Sequence, residues 1–364
     1  MTDQKSLRSS DSNHNFEQDE ALGAFISSQT VEGVLVTFTI VGYNQENYIC
    51  EAIEGAFAQT YEPLEIILSD DCSTDRTFMI MQEMANKYRG SKKIVTRQTD
   101  GNVGTILHVA DVASIAKGGL IILAAGDDIS KKERVEKIVA EWILTGAWGF
   151  YSKFDRIDED GIMISESEDP RNFFPPEYRL HHYFANPLPK IEITHGATSA
   201  YDMRVFKFLD LKRTDYILSE DGVLTVLLNI LGKEIKMINE SLISYRENEQ
   251  SLTNSVNNRK ISPKVILNDE FKIERFMRSH ANRLELFIRF NNKFGMKYRP
   301  LDTEQILIDL IKLRMRENWW KVGVREKFTY LKNNFSVSEL KWALPRMLPK
   351  SFFIWAKSYI KRII

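Results

Sequence analysis

Residues 65–77 read EIILSDDCSTDRT, and residues 120–130 read LIILAAGDDIS. Each is a short apolar run that closes on two adjacent aspartates, Asp70–Asp71 and Asp127–Asp128. An apolar run without alternation reads as a strand buried on both faces, the kind found in parallel sheets. In an open parallel sheet the carboxyl ends of the strands are where ligands bind. One aspartate pair alone reads as turn chemistry. Two pairs at equivalent strand ends point to a site.

The flanking sequence alternates in the same way. VLVTFTIV (34–41) reads as a strand, and a helix follows whose apolar face is Ile49, Ala52, Ile53, Ala56 and Phe57,. LEIILS (64–69) is a strand, and TFMIMQEMANKY (77–88) a helix with Ser73 as its expected cap,. KKIVTRQ (92–98) is a strand, and ILHVADVASIAKG (106–118) a helix closed by Gly118. After GLIILAAG (119–126), Ser130 and Glu133 read as a capping box for a helix burying Val135, Ile138, Val139, Trp142 and Ile143,. This order implies an α/β fold with a parallel sheet and helices on both faces.

Past Trp148 the pattern loosens. WGFYSKFDRIDEDGIMI (148–164) reads as a hairpin turning at Asp160–Gly161, and residues 168–190 as an ordered loop. SEDGVLTVLLNILG (219–232) is a buried helix, and EIKMINESLISYR (234–246) a strand. The sequence after about residue 255 is helical, so a boundary is placed there. Residues 1–30 are polar and read as a flexible leader.

Composition narrows the class. The net charge is −1, yet residues 321–364 hold ten Lys/Arg against two Glu. Such a basic tail suits a polyanion or an anionic membrane surface. Cys50 and Cys72 are too few for a disulfide framework or a cysteine zinc cluster,. The first twenty residues lack the apolar core of a signal peptide, and no run of 18 apolar residues exists,. Both points predict a cytoplasmic protein without a transmembrane helix. A G-x-G-x-x-G fingerprint is absent after the first strand, and a phosphatase-type Asp-x-Asp fails because Cys72 follows Asp70 at that spacing,. Four carboxylates in one crevice would raise one another's pKa. Hard oxygen donors of this type favour Mg²⁺ or Mn²⁺, completed by substrate phosphates.

The motifs carry a resemblance. TIVGYNQENYICEAIEGAFAQTYEPLEIILSDDCSTDRT, then NVG, then LIILAAGDDISKKERVEKI, closely resembles family 2 glycosyltransferases of the GT-A fold, of the bacterial surface-polysaccharide type. The match runs from Val34 to Asn254. It implies a GT-A, Rossmann-like, mostly parallel sheet within residues 31–255, followed by a helical C-terminal region over 256–364. It departs from the family pattern at Val41 for Pro, Ala125 for Asp, Val109 or its neighbour for Arg, and Asn248 for His.

By position, the resemblance implies that Val41 and Tyr43 line a base pocket, with Tyr43 stacking on the base. Asp71 would accept a hydrogen bond from the base, with Asp70 beside it. Asp128 would hold the divalent metal, and Asp127 would contact the ribose or the metal shell. Asp221 would be the catalytic base, with Glu220 as the alternative. His195, in THGA (194–197), would shape the sugar or phosphate site, and Arg246 would lie near the diphosphate. The expected reaction is inverting transfer from a nucleotide-diphospho sugar, a UDP-sugar, to a hydroxyl acceptor in polysaccharide or lipid-linked glycan synthesis. The alternatives are a nucleotidyltransferase, or a non-catalytic sugar-nucleotide-binding subunit. Nucleic acid is not an expected partner. In SFFIWAKSYIKRII (351–364), Phe352, Trp355, Tyr359 and Ile363 share one helical face, and Lys357 and Lys361 another. This basic amphipathic helix reads either as a peripheral membrane contact or as an internal packing element.

Overall fold

The computed structural model describes residues 33–173, 194–247, 263–295, 300–334, 342–347 and 350. The chain forms two compact units. One holds 33–173, 194–209 and 219–247; the other holds 210–218 and the helices from Pro263 onward. The expected boundary near 255 lies outside the described residues, as do residues 1–30, most of the loop over 168–190 and the helix over 351–364.

The first unit is built on a nine-stranded sheet of order β3-β2-β1-β4-β8-β6-β9-β5, with β7 paired to β6. Its strands are β1 (Val36–Gly42), β2 (Leu64–Asp70), β3 (Lys93–Gln98), β4 (Leu120–Ala125), β5 (Ile129–Ser130), β6 (Gly149–Ile157), β7 (Met163–Glu168), β8 (Ala200–Asp202) and β9 (Ile235–Arg246). β3, β2, β1 and β4 are mutually parallel, and β6 pairs parallel with β9. β8 runs antiparallel between β4 and β6. Most paired residues lie in parallel ladders, as expected for an α/β sheet. Every residue of β2 is buried, which suits its apolar run Ile66–Leu68, and the buried Glu65 is satisfied by the Thr37 hydroxyl and the Lys117 N–H,. β3 is an edge strand and carries Lys93 and Arg97 on a partly exposed surface,.

Helices α1 (Ile49–Phe57), α2 (Thr77–Lys87), α3 (Thr105–Ile115), α4 (Arg134–Thr145) and α5 (Glu220–Ile230) belong to this unit. α1 buries Ile49, Ala52, Ile53 and Ala56; α4 buries Val135, Ile138, Val139 and Trp142. α4 ends on Gly146, whose φ of +63° is left-handed and whose N–H reaches the Trp142 carbonyl at 2.8 Å,. The β6–β7 hairpin turns at Gly161, with φ +82°,.

Two expected helix caps are replaced. α2 starts after Arg76, and the Thr77 N–H donates to Asp75 Oδ1 at 2.9 Å. The Ser73 hydroxyl instead serves the loop between β2 and α2. Ser130 lies in β5, and the α4 N-terminus is satisfied from a distance. Gln59 Oε1 accepts the Val135 N–H at 3.0 Å, while Gln59 Nε2 donates to the Lys131 carbonyl at 2.9 Å. The third helix ends at Ile115, before Gly118. β8 was not legible as a strand, because only three residues pair.

In the second unit, α6 (Pro263–Phe290) and α7 (Thr303–Glu317) are joined by ion pairs of Arg314 with Glu285 and of Arg278 with Glu317. Helix α8 (Val324–Asn333) follows, and Trp319, Tyr330, Leu331 and Ala343 form a small core. No helix among the described residues is long and apolar enough to cross a membrane.

Candidate active site

β2 and β4 flank β1, with Asp70 opposite Gly42 and Ala125 opposite Val41. The chain leaves β1 toward β2 and β3, then returns to the other side of β1 as β4. Both acidic turns therefore sit at strand ends beside the point where strand order reverses, the crevice where open α/β sheets bind ligands.

The loops after β1 and β2 are laced together. Asn44, with φ +54°, receives the Thr74 N–H on Oδ1 at 2.8 Å and donates its own N–H to Ser73 Oγ at 2.8 Å. The Glu46 N–H donates to Asp75, and the Arg76 N–H to Glu46, each at 3.1 Å. This lacing leaves Tyr43 with 40% of its surface exposed. An aromatic face held out by a rigid loop is suited to stacking on a planar ring.

Asp70 and Asp71 are committed to the protein. Asp70 is sealed from solvent; its carboxylate accepts the N–H and hydroxyl of Ser73 and the Gln98 amide. Asp71 accepts Thr99 Oγ1 and the Val103 N–H at 3.0 Å, and the Gly104 N–H at 3.1 Å. Both carboxylates thus shape the loops around Tyr43, and Asp71 anchors the start of α3. A carboxylate has about four acceptor positions, so Asp71 keeps one beyond these bonds.

Asp127 is half-buried and Asp128 buried. Asp128 Oδ1 accepts the Arg246 N–H at 2.9 Å, while its buried Oδ2 has no partner among the described residues. Burial and the neighbouring Asp127 charge push the Asp128 carboxyl well above the usual range, partly offset by Arg246 and Arg134,. The turn approaches α1 closely: a Cβ on Gly126 would lie 2.3 Å from Gln45 Oε1 and 2.8 Å from Ile49 Cδ1.

Arg246, 1% exposed, is the hub of this turn. Its Nε donates to the Asp127 carbonyl at 3.0 Å, Nη1 to the Asp158 and Glu159 carbonyls, and Nη2 to Glu51 at 2.7 Å. Its guanidinium stacks over Tyr48. Nearly all its donors serve the protein.

The third acidic pair opens α5. Ser219 caps the helix, accepting the Gly222 N–H at 3.2 Å,. Asp221 is half-buried; its Oδ1 accepts the Ser219 hydroxyl and the Gly222 N–H, each at 2.7 Å, and its Oδ2 accepts the Gly196 N–H at 3.3 Å. Glu220 lies against Gly196, where a Cβ would meet Oε1 at 2.3 Å. Burial, then the Asp221 charge, pushes the Glu220 carboxyl up to about 8. His195 is buried, stacked on Phe154 and edge-on to Tyr245, each at 5.6 Å. Burial holds its ring below the usual histidine range, and Asp221 partly opposes this. The expected residues therefore fall into a group at the end of β1 and the turn after β4 (Val41, Tyr43, Asp127, Asp128, Arg246) and a group around the start of α5 (His195, Glu220, Asp221).

One residue escaped the sequence reading. Arg134 is fully buried and bonds to both groups' supporting turns. Its signal was its place on one helical stripe with Ile138 and Trp142.

Residues 37–209 match the family model described as glycosyl transferase family 2. The chain carries a glycosyl transferase family 2 domain. An uncharacterized glycosyltransferase EpsJ of Bacillus subtilis is 24% identical over 230 residues, 60% of this chain and 63% of that one. The Escherichia coli protein WfaP, a UDP-Glc:α-D-GlcNAc-diphosphoundecaprenol β-1,3-glucosyltransferase, is 28% identical over 216 residues, 57% of this chain and 75% of that one. An uncharacterized Mycobacterium tuberculosis protein is 44% identical over 89 residues. The chain spans about a quarter of that protein's length and under two thirds of EpsJ. Among solved structures, Staphylococcus aureus TarS residues 1–349, in complex with UDP-GlcNAc, is 16% identical with a TM-score of 0.48, over 80% of this chain and 77% of that one.

Among the described residues no group of three or more His, Cys, Asp or Glu converges as a ready metal cage. The Asp127–Asp128 pair, with one buried carboxylate oxygen unpartnered, fits a hard cation held by one or two carboxylates and completed by substrate phosphates,.

Proposed function

We propose that the family 2 domain transfers a sugar, with inversion, from a UDP-sugar to a hydroxyl of a polysaccharide or lipid-linked glycan. One observation carries this reading: two acidic turns end the strands on either side of β1, and a third acidic pair is presented against the Gly196 turn. WfaP, 28% identical over 216 residues, is by name a glucosyltransferase using UDP-Glc.

In this reading Tyr43 stacks on the base, with Val41 beside it and Asp71 contributing its remaining acceptor position. Asp127 and Asp128 hold Mn²⁺ or Mg²⁺, which when bound supplies Lewis-acid stabilisation of the leaving diphosphate. Arg246 keeps that turn in shape and adds positive charge nearby. Asp221 takes the proton from the acceptor hydroxyl. Three N–H and O–H donors fix the orientation of its carboxylate, and its place in the first turn of α5 favours negative charge there,. Glu220 keeps its proton at neutral pH, so it adds no second charge beside the base. Removal of the proton on the face opposite the diphosphate gives single displacement and inversion. His195 stays neutral and packs the acceptor wall. The basic tail suits work at the cytoplasmic face of a membrane, where lipid-linked acceptors lie.

The deciding experiment is hydrolysis and transfer with a panel of UDP-sugars, with and without Mn²⁺. Metal-dependent turnover, abolished in Asp221→Asn, is expected. Metal-dependent binding without turnover would favour the non-catalytic subunit. No binding of any nucleotide sugar would end the reading.

A further inference from the structure

β4 and β8 part company beside the site, and one side chain fills the fork. The last antiparallel pair is Ile122 with Ala200, and the Leu123 N–H still reaches the Ser199 carbonyl at 3.1 Å. Backbone N–H and C=O of one strand residue point to the same side, so the Leu123 carbonyl also faces β8. The ladder has ended there, and a buried carbonyl needs a partner. Arg134 provides it: Nη2 donates to the Leu123 carbonyl at 2.7 Å and to the Ala197 carbonyl at 3.1 Å.

The same guanidinium reaches the donor side. Nη1 donates to Ser130 Oγ at 2.9 Å, just after the Asp127–Asp128 turn, and the guanidinium carbon lies 5.7 Å from the centre of the Phe38 ring of β1. Arg134 has no exposed surface. A fully buried arginine is costly unless its charge is balanced and its donors are used. Here the two Nη groups are spent on three separate segments, β4, the turn after Asp128, and the turn holding His195 and Gly196, while Nε has no partner among the described residues.

We propose that Arg134 is a positioning residue that ties the donor-side turn Asp127–Ser130 to the Gly196–Thr198 turn, so that the diphosphate site and the acidic pair Glu220–Asp221 are held as one unit. The assignment of those two sides rests on the glycosyl-transfer reading above; the mechanical link does not. The planar fork of arginine is what spans the gap. Lysine keeps the charge but offers a single point of attachment.

The test compares wild type with Arg134→Lys and Arg134→Met in the full chain. Hydrogen exchange is read on peptides covering 194–199, and UDP with Mn²⁺ is the binding probe. In Arg134→Lys, exchange over 194–199 should rise at least fivefold, UDP·Mn²⁺ affinity should stay within threefold, and kcat for UDP-sugar turnover should fall at least tenfold at little-changed KM. Arg134→Met, which removes all three bonds, should raise exchange over 194–199 at least as much. Unchanged exchange over 194–199 in both folded variants would overturn the link. Equal loss of binding and turnover in Arg134→Lys would overturn it too, by reducing Arg134 to a donor-side charge. If wild type binds no nucleotide sugar, the glycosyl-transfer reading fails, and the exchange result still decides the link.

Discussion

The main-chain N–H of Arg246 donates to Asp128 Oδ1 at 2.9 Å, across 118 residues of sequence. This bond closes the end of β9 onto the turn after β4. Because the donor is backbone, no substitution at 246 other than proline removes it. What the side chain adds are the bonds to the Asp127, Asp158 and Glu159 carbonyls and to Glu51.

Arg246→Met keeps much of the stem volume and removes those bonds. We expect a loss of about 2–4 kcal/mol in urea unfolding, since buried carbonyls lose charged donors. UDP·Mn²⁺ affinity should fall about tenfold by isothermal titration. A variant as stable as wild type would show that the hub is ornamental.

Asp71 holds the loop at the start of α3 through three donors. Asp71→Ala strands the Val103 and Gly104 N–H groups, and should cost about 2–4 kcal/mol. Asp71→Asn, which keeps one acceptor oxygen, should cost less. If instead the two variants retain full stability and lose only UDP binding, Asp71 is a ligand contact rather than a loop anchor.

Tyr43 is the opposite case, with a ring exposed and little burial to lose. Tyr43→Ala should leave the unfolding midpoint nearly unchanged. It should weaken UDP binding by about 1–3 kcal/mol, the usual worth of base stacking on an aromatic side chain. Unchanged affinity would move the base elsewhere.

Glu220 gives a pH signature. Its folded carboxyl titrates near 8, above the ordinary glutamate value, so the folded state holds a proton that the unfolded chain releases. Stability from this source is full below about pH 4.5 and is lost as pH rises toward 8. Glu220→Gln cannot lose that proton. Relative to wild type, it should gain about 2–4 kcal/mol between pH 5 and pH 9, read by urea unfolding. A pH-independent difference between the two proteins would refute the buried, protonated glutamate.

Much of the first unit was legible before any coordinates. Apolar runs marked β2 and β4 as buried parallel strands, the β-rich run over 34–41 marked β1, and the 3.6-residue period marked the core faces of α1 and α4. The aspartate pairs announced the site, because charge at the end of a buried strand calls for compensation. The local signals that misled were caps. Ser73 and Ser130 had suitable spacing, but Asp75 and Gln59 were nearer in space to the N–H groups in need.

The sequence by itself determined the alternation of strands and helices through α4 and the acidic strand ends, since these depend on neighbours along the chain. Only the tertiary structure decided which carboxylates spend themselves on loops, which sit half-open, and that Arg134 and Arg246 bind turns far apart in sequence. The reason is physical. A buried charge is tolerable only when its partners come together, and those partners converge only when the chain has folded.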